Sequence, residues 1–462
     1  MNIKFCGAAR TVTGSMHLLD TGREKVLLDC GIFQGPREDS EDKNRRFLFN
    51  PGEISTVLLS HAHLDHSGNL PGLVKQGYKG PVLATRATCD LCQVMLRDAA
   101  HIQESDLAFV NKHRRQQGLS PKEPLYTLAD AEQTVSRLVP MDYDVPVTVA
   151  GCRATYRDAG HILGSAMILL EDGQGRTLAF SGDLGRKGLP ILRDPYPLEG
   201  ADLLIIESTY GNKVHEPLEE TVRQFEAVLK EAIEKRGKIV IPAFAVGRCQ
   251  EIIYELHKMI QEGRIPSIPA YVDSPLSLNA TEITKRHPEC YDEETRHLLD
   301  EHDDPFGFSR LTYIHSVEES KALNEQEGPM IIISASGMCE AGRILHHLVN
   351  VIGDPRNTIL IVGFQAEGTL GKKLVDQETR VRIYGEEYER RAKVAVLNGF
   401  SAHGDRNDLL GFVASMTKKP ERVFVVHGNE EQSQALEQGL VQLGLKDVRR
   451  PQRGEQAVLD FA

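Results

Sequence analysis

The chain has 462 residues, 40% of them hydrophobic, so it can bury a large core, and length alone predicts two or three domains. A formal net charge of −12 excludes wholesale coating of a polyanion, so a nucleic-acid ligand would need a focused basic cleft. No apolar run approaches the roughly 18 residues that span a bilayer, "MNIKFCGAARTVTGS" lacks the apolar block of a signal peptide, and the eight cysteines are too scattered for a disulfide framework. These features predict a cytoplasmic protein without a membrane partner.

Along the chain, short apolar runs closed by Gly, Asp or Pro come first and read as strands: "NIKFCGA", "SMHLLDTG", "EKVLLDCG", "STVLLS" and "GPVLATR". A charged helix follows from about Thr88 to Arg115, with Cys89 and Cys92 as two small buried residues on it, and then a basic loop, "NKHRRQQGLSPKEP". Strands resume at "ATYRDAGH", "SAMILLED", "RTLAFSGD" and "ADLLIIES". From about Tyr210, long helices ("LEETVRQFEAVLKEAIEKRG", "RCQEIIYELHKMIQEG") alternate with apolar strands ("KIVIPAF", "PAYVDS", "PMIIISAS", "NTILIVGF"), the pattern of a parallel α/β unit. The last segment returns to short strands, "AKVAVLNGFSAH" and "RVFVVHGN". The expected division is a first domain over 1–208, an insertion over 209–395, and completion of the first domain by 396–462.

Residues 58–70, "LLSHAHLDHSGNL", place three histidines and an aspartate within six positions directly after a strand. In an extended segment alternate side chains share a side, so His61 and His63 can face one ion, while the following turn re-aims Asp65 and His66. One such motif can feed two metals, and imidazole with carboxylate suits zinc. For one histidine, a satisfied loop polar group would be the ordinary reading; four ligand types this close make a metal site the better one. Further ligand types stand at strand ends: Asp29, His161, Asp183, Glu207, His403 and His427. Singly each is an ordinary turn former; together they suggest a binuclear centre.

With these residues in place, the sequence resembles the metallo-β-lactamase superfamily and, within it, the β-CASP nucleases. Bacterial and archaeal relatives of the mRNA cleavage and polyadenylation endonuclease subunit are similar, and RNase J is related. The resemblance rests on "DCGIFQG", "SHAHLDHSG", "AGHILGSA", "FSGDLGR", "ESTYG", "IPAFAVGRCQE", "ISASGMCEAGRILHHL", "VGFQAEGTLG", "GFSAHGD" and "VVHGN". It implies an α/β fold, the four-layer αββα metallo-β-lactamase architecture with an inserted parallel α/β β-CASP domain.

It further implies His61, His63 and His161 on a first zinc ion, Asp65, His66 and His427 on a second, and Asp183 bridging both. Asp29 would orient ligands or the bound water. A bridging hydroxide would attack the phosphate, with His403 as general acid for the leaving 3′-oxygen and Glu207 orienting its imidazole. Together with Asp65 and Asp29 these are the residues assigned to catalysis. Products with 5′-phosphate and 3′-hydroxyl follow, from single-stranded RNA. Arg248, Ser334, Ser336, Gly337, Arg343 and Ser401 would contact the RNA. Lys372 and Lys373 either extend that lining or form a solvated helix start.

The chain begins at the first strand of the catalytic domain, so the KH modules of many archaeal relatives are expected to be missing, as is the extra C-terminal domain of RNase J. Gly404 stands where relatives often carry Ala, and Asn429 where an acidic residue is common. A homodimer through the inserted domain is a further implication. Cutting inside the strand and 5′-to-3′ trimming both stay open. Two other readings remain: a catalytically inactive RNA-binding or scaffolding subunit, and a small-molecule metallohydrolase, for which the long block between Asp183 and His427 has no evident use.

Overall fold

Strands whose alternate side chains are apolar on one face must bury that face, and here two such sheets bury theirs against each other. The computed structural model describes residues 1–35, 37–301, 304–366 and 368–459. The chain divides into two compact units, one of 1–187, 194–214 and 403–462, the other of 188–193 and 215–402.

The first unit holds two seven-stranded sheets. One runs in the order Gln456–Val458, Asn2–Phe5, His17–Asp20, Lys25–Leu28, Ile54–Leu58, Val82–Thr85, Leu138–Met141. The other runs Asp447–Arg449, Arg422–Val425, Leu203–Ile206, Thr177–Phe180, Ala166–Glu171, Cys152–Asp158, Val147–Val149. Phe5, Leu28 and Leu58 from the first meet Ile168, Phe180, Ile205 and Phe424 from the second in one core. The opposite face of the second sheet, with Ala179, Leu204, Val423 and Val425, is covered by helices Arg406–Ser415 and Glu430–Gln442 through Leu409, Phe412, Leu436 and Leu440. Helix Arg86–Gln116 lies on Val82–Thr85 and Leu138–Met141 of the first sheet. Helix, sheet, sheet and helix make the four layers. Thr85 caps that long helix by accepting from Thr88 N.

Three parallel pairings decide where loops emerge. Lys25–Leu28 pairs in parallel with Ile54–Leu58, so Asp29 and the His61 loop leave one edge together. Thr177–Phe180, Leu203–Ile206 and Arg422–Val425 are parallel neighbours, so Asp183, Glu207 and His427 also leave together.

The second unit is built on a six-stranded, all-parallel sheet, in the order Leu311–Tyr313, Ala270–Val272, Met330–Ser334, Lys238–Pro242, Thr358–Ile361, Lys393–Val396. Both faces are buried. Ile239, Ile241, Ile331, Ile333 and Leu360 point to helices Leu218–Glu234 and Arg248–Gln261, whereas Val240, Ile332, Ile359 and Ile361 point to Arg343–Val351 and Leu370–Val375. This is why these strands read as continuous apolar runs.

Lys393–Val396 adds to the parallel sheet beside Thr358–Ile361, and the second unit continues to Ala402, where the expected insertion ended at 395. An edge strand of a parallel sheet and one of a mixed sheet have the same local pattern, so the sequence did not distinguish them. All eight cysteines are free and buried, and no helix among the described residues is long and apolar enough to cross a membrane.

Candidate metal centre

Residues 59–63 have no regular structure and lead into the short helix Leu64–Ser67. The helix is held by the segment after Leu28, where Cys30 N donates to His66 O (2.8 Å) and Ile32 N to Leu64 O (2.9 Å), and by Ser15 N, which donates to Asp65 O (2.7 Å). Only glycine fits beneath it, because a Cβ on Gly31 would fall 1.6 Å from Asp65 O. The loops after the second sheet are laced in the same way. Gly185 bridges His403, Gly404 N donates to Leu184 O (2.8 Å), and a Cβ on Gly185 would lie 1.8 Å from Gly160 O. Asp29 (φ 57°) and His427 (φ 50°) both take left-handed backbone, uncommon for residues with side chains and held here by surrounding structure.

The result is a cluster of ligand atoms. His61, His63, His161 and Asp183 offer donor atoms all within 4.8 Å of one another; so do Asp65, His66 and His427, and so do Asp183, Glu207 and His427. In the first group His61 Nε2 and His161 Nε2 each lie 3.2 Å from His63 Nδ1 and 3.6 Å from Asp183 Oδ2. In the second, His66 Nε2 lies 3.1 Å from His427 Nε2 and 3.3 Å from Asp183 Oδ1, and His427 Nε2 lies 3.5 Å from Asp65 Oδ2. Asp183 thus turns one oxygen to each group.

These separations fit a metal. Two nitrogens bound tetrahedrally at about 2.0–2.1 Å sit roughly 3.3 Å apart. Burial and the neighbouring imidazoles push His61 well below its ordinary pKa, and burial pushes His63 down to about 4 against the pull of Asp65 and Asp183. Neutral rings whose lone pairs converge in a buried space suit a cation between them. Asp183 is held well below the carboxylate range by His427, His66 and His403, which outweigh its burial, and its Oδ1 makes no well-formed hydrogen bond. Asp65 is likewise held down, by His427 and His66 against burial. His66 goes the other way: burial opposes its charged form, but Asp183 and Asp29 outweigh it. The carboxylates that favour a proton on that ring equally favour a metal.

The remote ring nitrogens are fixed by partners outside the cluster. Asp29 accepts from Ser60 N (2.8 Å), Ser60 Oγ (3.0 Å), Ser15 Oγ (3.0 Å) and His66 Nδ1 (2.7 Å). Ser60 Oγ, donating to Asp29, is left to accept from His61 Nδ1 at 3.1 Å. Asp29 therefore orients two of the histidines, one directly and one through a hydroxyl, with Nε2 facing the cluster in both. Thr209 Oγ1 does the same for His427, donating to its carbonyl (3.2 Å) and accepting from Nδ1 (3.1 Å). Sequence reasoning missed Ser60, Ser15 and Thr209. Ser60 and Thr209 adjoin motif residues, whereas nothing local marks Ser15.

His403 stands beside the cluster, its side chain 21% exposed, with its ring 4.3 Å from that of His161 and 6.0 Å from that of Tyr210. Its Nδ1 lies 3.2 Å from Glu207 Oε1 and 3.8 Å from Asp183 Oδ2. Burial lowers its pKa, but Glu207 and Asp183 more than compensate, raising it to about 9. Glu207 is buried and held by Leu184 N (2.6 Å) and Thr209 N (3.2 Å).

The residues expected to touch RNA lie in the second unit, and several are already engaged. Arg248 is 8% exposed, paired with Glu251 and 5.7 Å from the Phe400 ring. Ser334 is buried and donates to Asp273 O (2.9 Å); Arg343 Nη1 pairs with Asp273 Oδ1 (2.6 Å), whose other oxygen meets His347 Nε2 (2.6 Å). Arg248 and Ser334 thus carry these internal bonds in addition to any contact with a phosphate. Ser336, Arg343 and Ser401 are partly exposed, and buried Gly337 offers its carbonyl to Gln365 Nε2 (2.9 Å). Lys372 pairs with Asp376 (2.5 Å), the arrangement of a solvated helix.

A four-layer αββα unit with a histidine and aspartate cluster at the strand ends defines a metal-binding hydrolase fold. The chain belongs to the metallo-β-lactamase superfamily, whose model matches residues 9–243. It falls in the β-CASP branch: a Beta-Casp domain matches 249–374, and a Zn-dependent metallo-hydrolase RNA specificity domain matches 387–451. Ribonuclease TTHA0252 of Thermus thermophilus is 40% identical over 436 residues, covering 94% of this chain and 95% of that one. Transcription termination factor FttA of Methanosarcina mazei is 32% identical over 448 residues, 93% of this chain and 67% of that protein. A crystal structure of a protein of unknown function from Enterococcus faecalis V583 shares the fold, with a TM-score of 0.56, 14% identity and 99% coverage of both chains.

Proposed function

We propose that the chain is a zinc-dependent ribonuclease that hydrolyses phosphodiester bonds of single-stranded RNA with two zinc ions. The observation that carries this reading is the single carboxylate of Asp183 between two groups of ligands, in a chain 40% identical to a ribonuclease over nearly its whole length. His61, His63 and His161 would hold one ion, Asp65, His66 and His427 the other, and Asp183 both. When bound, zinc supplies Lewis acidity, activating water and neutralising charge on the phosphate.

The chain's own residues do the rest. Water oxygen joins phosphorus, the bond from phosphorus to the 3′-oxygen breaks, and His403 delivers the proton that the leaving oxygen needs. Glu207 accepts from His403 Nδ1 and so keeps that imidazole charged, and Nε2 is the ring nitrogen that would donate. The products are a 5′-phosphate and a 3′-hydroxyl. Asp29 and Thr209 act as positioning residues, through His66 and His427. Cytoplasmic location belongs to this reading on the scattered cysteines and the N-terminal sequence, and a homodimer through the second unit on the family resemblance alone; light scattering at one or two chain masses decides the latter.

The test is single-stranded RNA labelled at either end, incubated with the zinc-loaded protein, with a His403→Ala variant, and beside DNA of the same sequence. The account expects RNA cleavage that falls at least about 100-fold in the variant. The fragment ladder separates internal cutting from trimming. Intact RNA, bound equally by both proteins, would contradict the mechanism and favour the scaffolding subunit.

A further inference from the structure

Phe244 and Phe364 are exposed, at 41% and 51%. Both follow strands of the six-stranded sheet: Phe244 comes after Lys238–Pro242 and Phe364 after Thr358–Ile361, which are parallel, hydrogen-bonded neighbours. They therefore leave the same carboxyl edge, where ligands bind in open α/β sheets.

The Phe244 ring lies on glycine backbone. A Cβ on Gly337 would come within 3.0 Å of its Cδ2 and 3.1 Å of its Cε2, and one on Gly363 within 3.8 Å of its Cε2. Gln365 Nε2 ties this floor together by donating to Gly337 O (2.9 Å) and Gly363 O (3.1 Å). Gly363 directly precedes Phe364, so the backbone that carries Phe364 also passes beside the Phe244 ring. Among the described residues, no other exposed large hydrophobic stands on the loops after Lys238–Pro242, Met330–Ser334 or Thr358–Ile361. A protein partner would want a contiguous apolar patch. Separate rings, one supported from beneath, suit flat ligands that need only a π-face, which is how unpaired bases are held.

We propose that Phe244 and Phe364 are stacking platforms for the bases of single-stranded RNA. This rests on the ribonuclease reading and adds to it a base-dependent, sequence-tolerant grip within the second unit. Neither residue stood among the expected RNA contacts.

Fluorescence anisotropy on the whole protein tests it, with a non-cleavable 2′-O-methyl oligonucleotide and an abasic oligomer of equal length and charge. The unaltered chain should bind the base-bearing strand more tightly. Phe244→Leu with Phe364→Leu, which keeps apolar bulk but removes the π-faces, should weaken that binding roughly 10- to 100-fold and leave abasic binding unchanged. Phe244→Trp with Phe364→Trp should restore the difference, and unaltered melting temperatures would establish intact folding. Base preference retained in the leucine variant, or equal losses on both oligomers, would overturn the proposal while RNA cleavage by the unaltered chain leaves the ribonuclease reading standing. If the unaltered chain neither binds nor cuts RNA, both fall.

Discussion

His66 has work for each ring nitrogen: Nδ1 donates to Asp29, and Nε2 faces Asp183 and His427. The fixed tautomer is what a ligand histidine needs, and its source is a residue that touches no other member of the cluster directly. Asp29→Asn isolates the effect. Asparagine tolerates the left-handed backbone at φ 57° and keeps an acceptor for Ser60 N, so the fold should survive. The negative charge behind His66 is lost. Zinc affinity, measured by competition with a chelator, should fall about 10- to 100-fold with the melting temperature of the apo protein little changed. Unchanged affinity would contradict the role given to Asp29. Residue-scale legibility in the sequence was uneven. The spacing of His61, His63, Asp65 and His66 was visible because a single turn carries all four. His161, Asp183 and His427 come from three distant strand ends: their place after apolar strands made them candidates, and the resemblance assigned each to an ion. The internal partners of Ser334 and Arg343 could not be read, because Asp273 is far away in sequence; for Arg248, Glu251 at i+3 was a local hint.

Helix Arg248–Gln261 presents a different consequence of burial. Its inner face carries apolar residues such as Ile252, Ile253, Leu256 and Met259, yet Glu255 is buried on the same helix. Burial raises the Glu255 carboxyl to about 7 from an ordinary 4.5; Lys258 offsets this in part, and Glu251 adds to it. Because the folded state holds the proton more tightly than the unfolded chain, stability falls as pH rises through the window from about 4.5 to about 7, and the loss is complete above it. The cost is of order 3 kcal/mol at most. Glu255→Gln, neutral at every pH, should therefore raise the melting temperature at pH 8 and leave it nearly unchanged at pH 4.5. An equal effect at both would show that ionisation is not the cause. At this scale the sequence was informative: the long helices and apolar strands of the second unit form where the periodicity puts them. Where Lys393–Val396 pairs was not legible, since strand pairing is a non-local choice that a four-residue pattern does not encode.

At the scale of the molecule, each unit is assembled from separate stretches of chain, and the cluster draws on distant parts of the first unit, from His61 to His427. Order along the sequence is thus a poor guide to what meets. The motifs nevertheless specified the superfamily, because a buried metal site constrains ligand type and strand-end position together. The central claim is that this cluster holds two zinc ions and that RNA hydrolysis depends on them. The direct measurement is to strip the protein of metal, add zinc in steps, and follow both bound metal and the rate of RNA cleavage. The account predicts binding that saturates at two ions per chain, with cleavage absent from the stripped protein and complete at the second equivalent. Cleavage that persists without metal, or no cleavage at full occupancy, would contradict it.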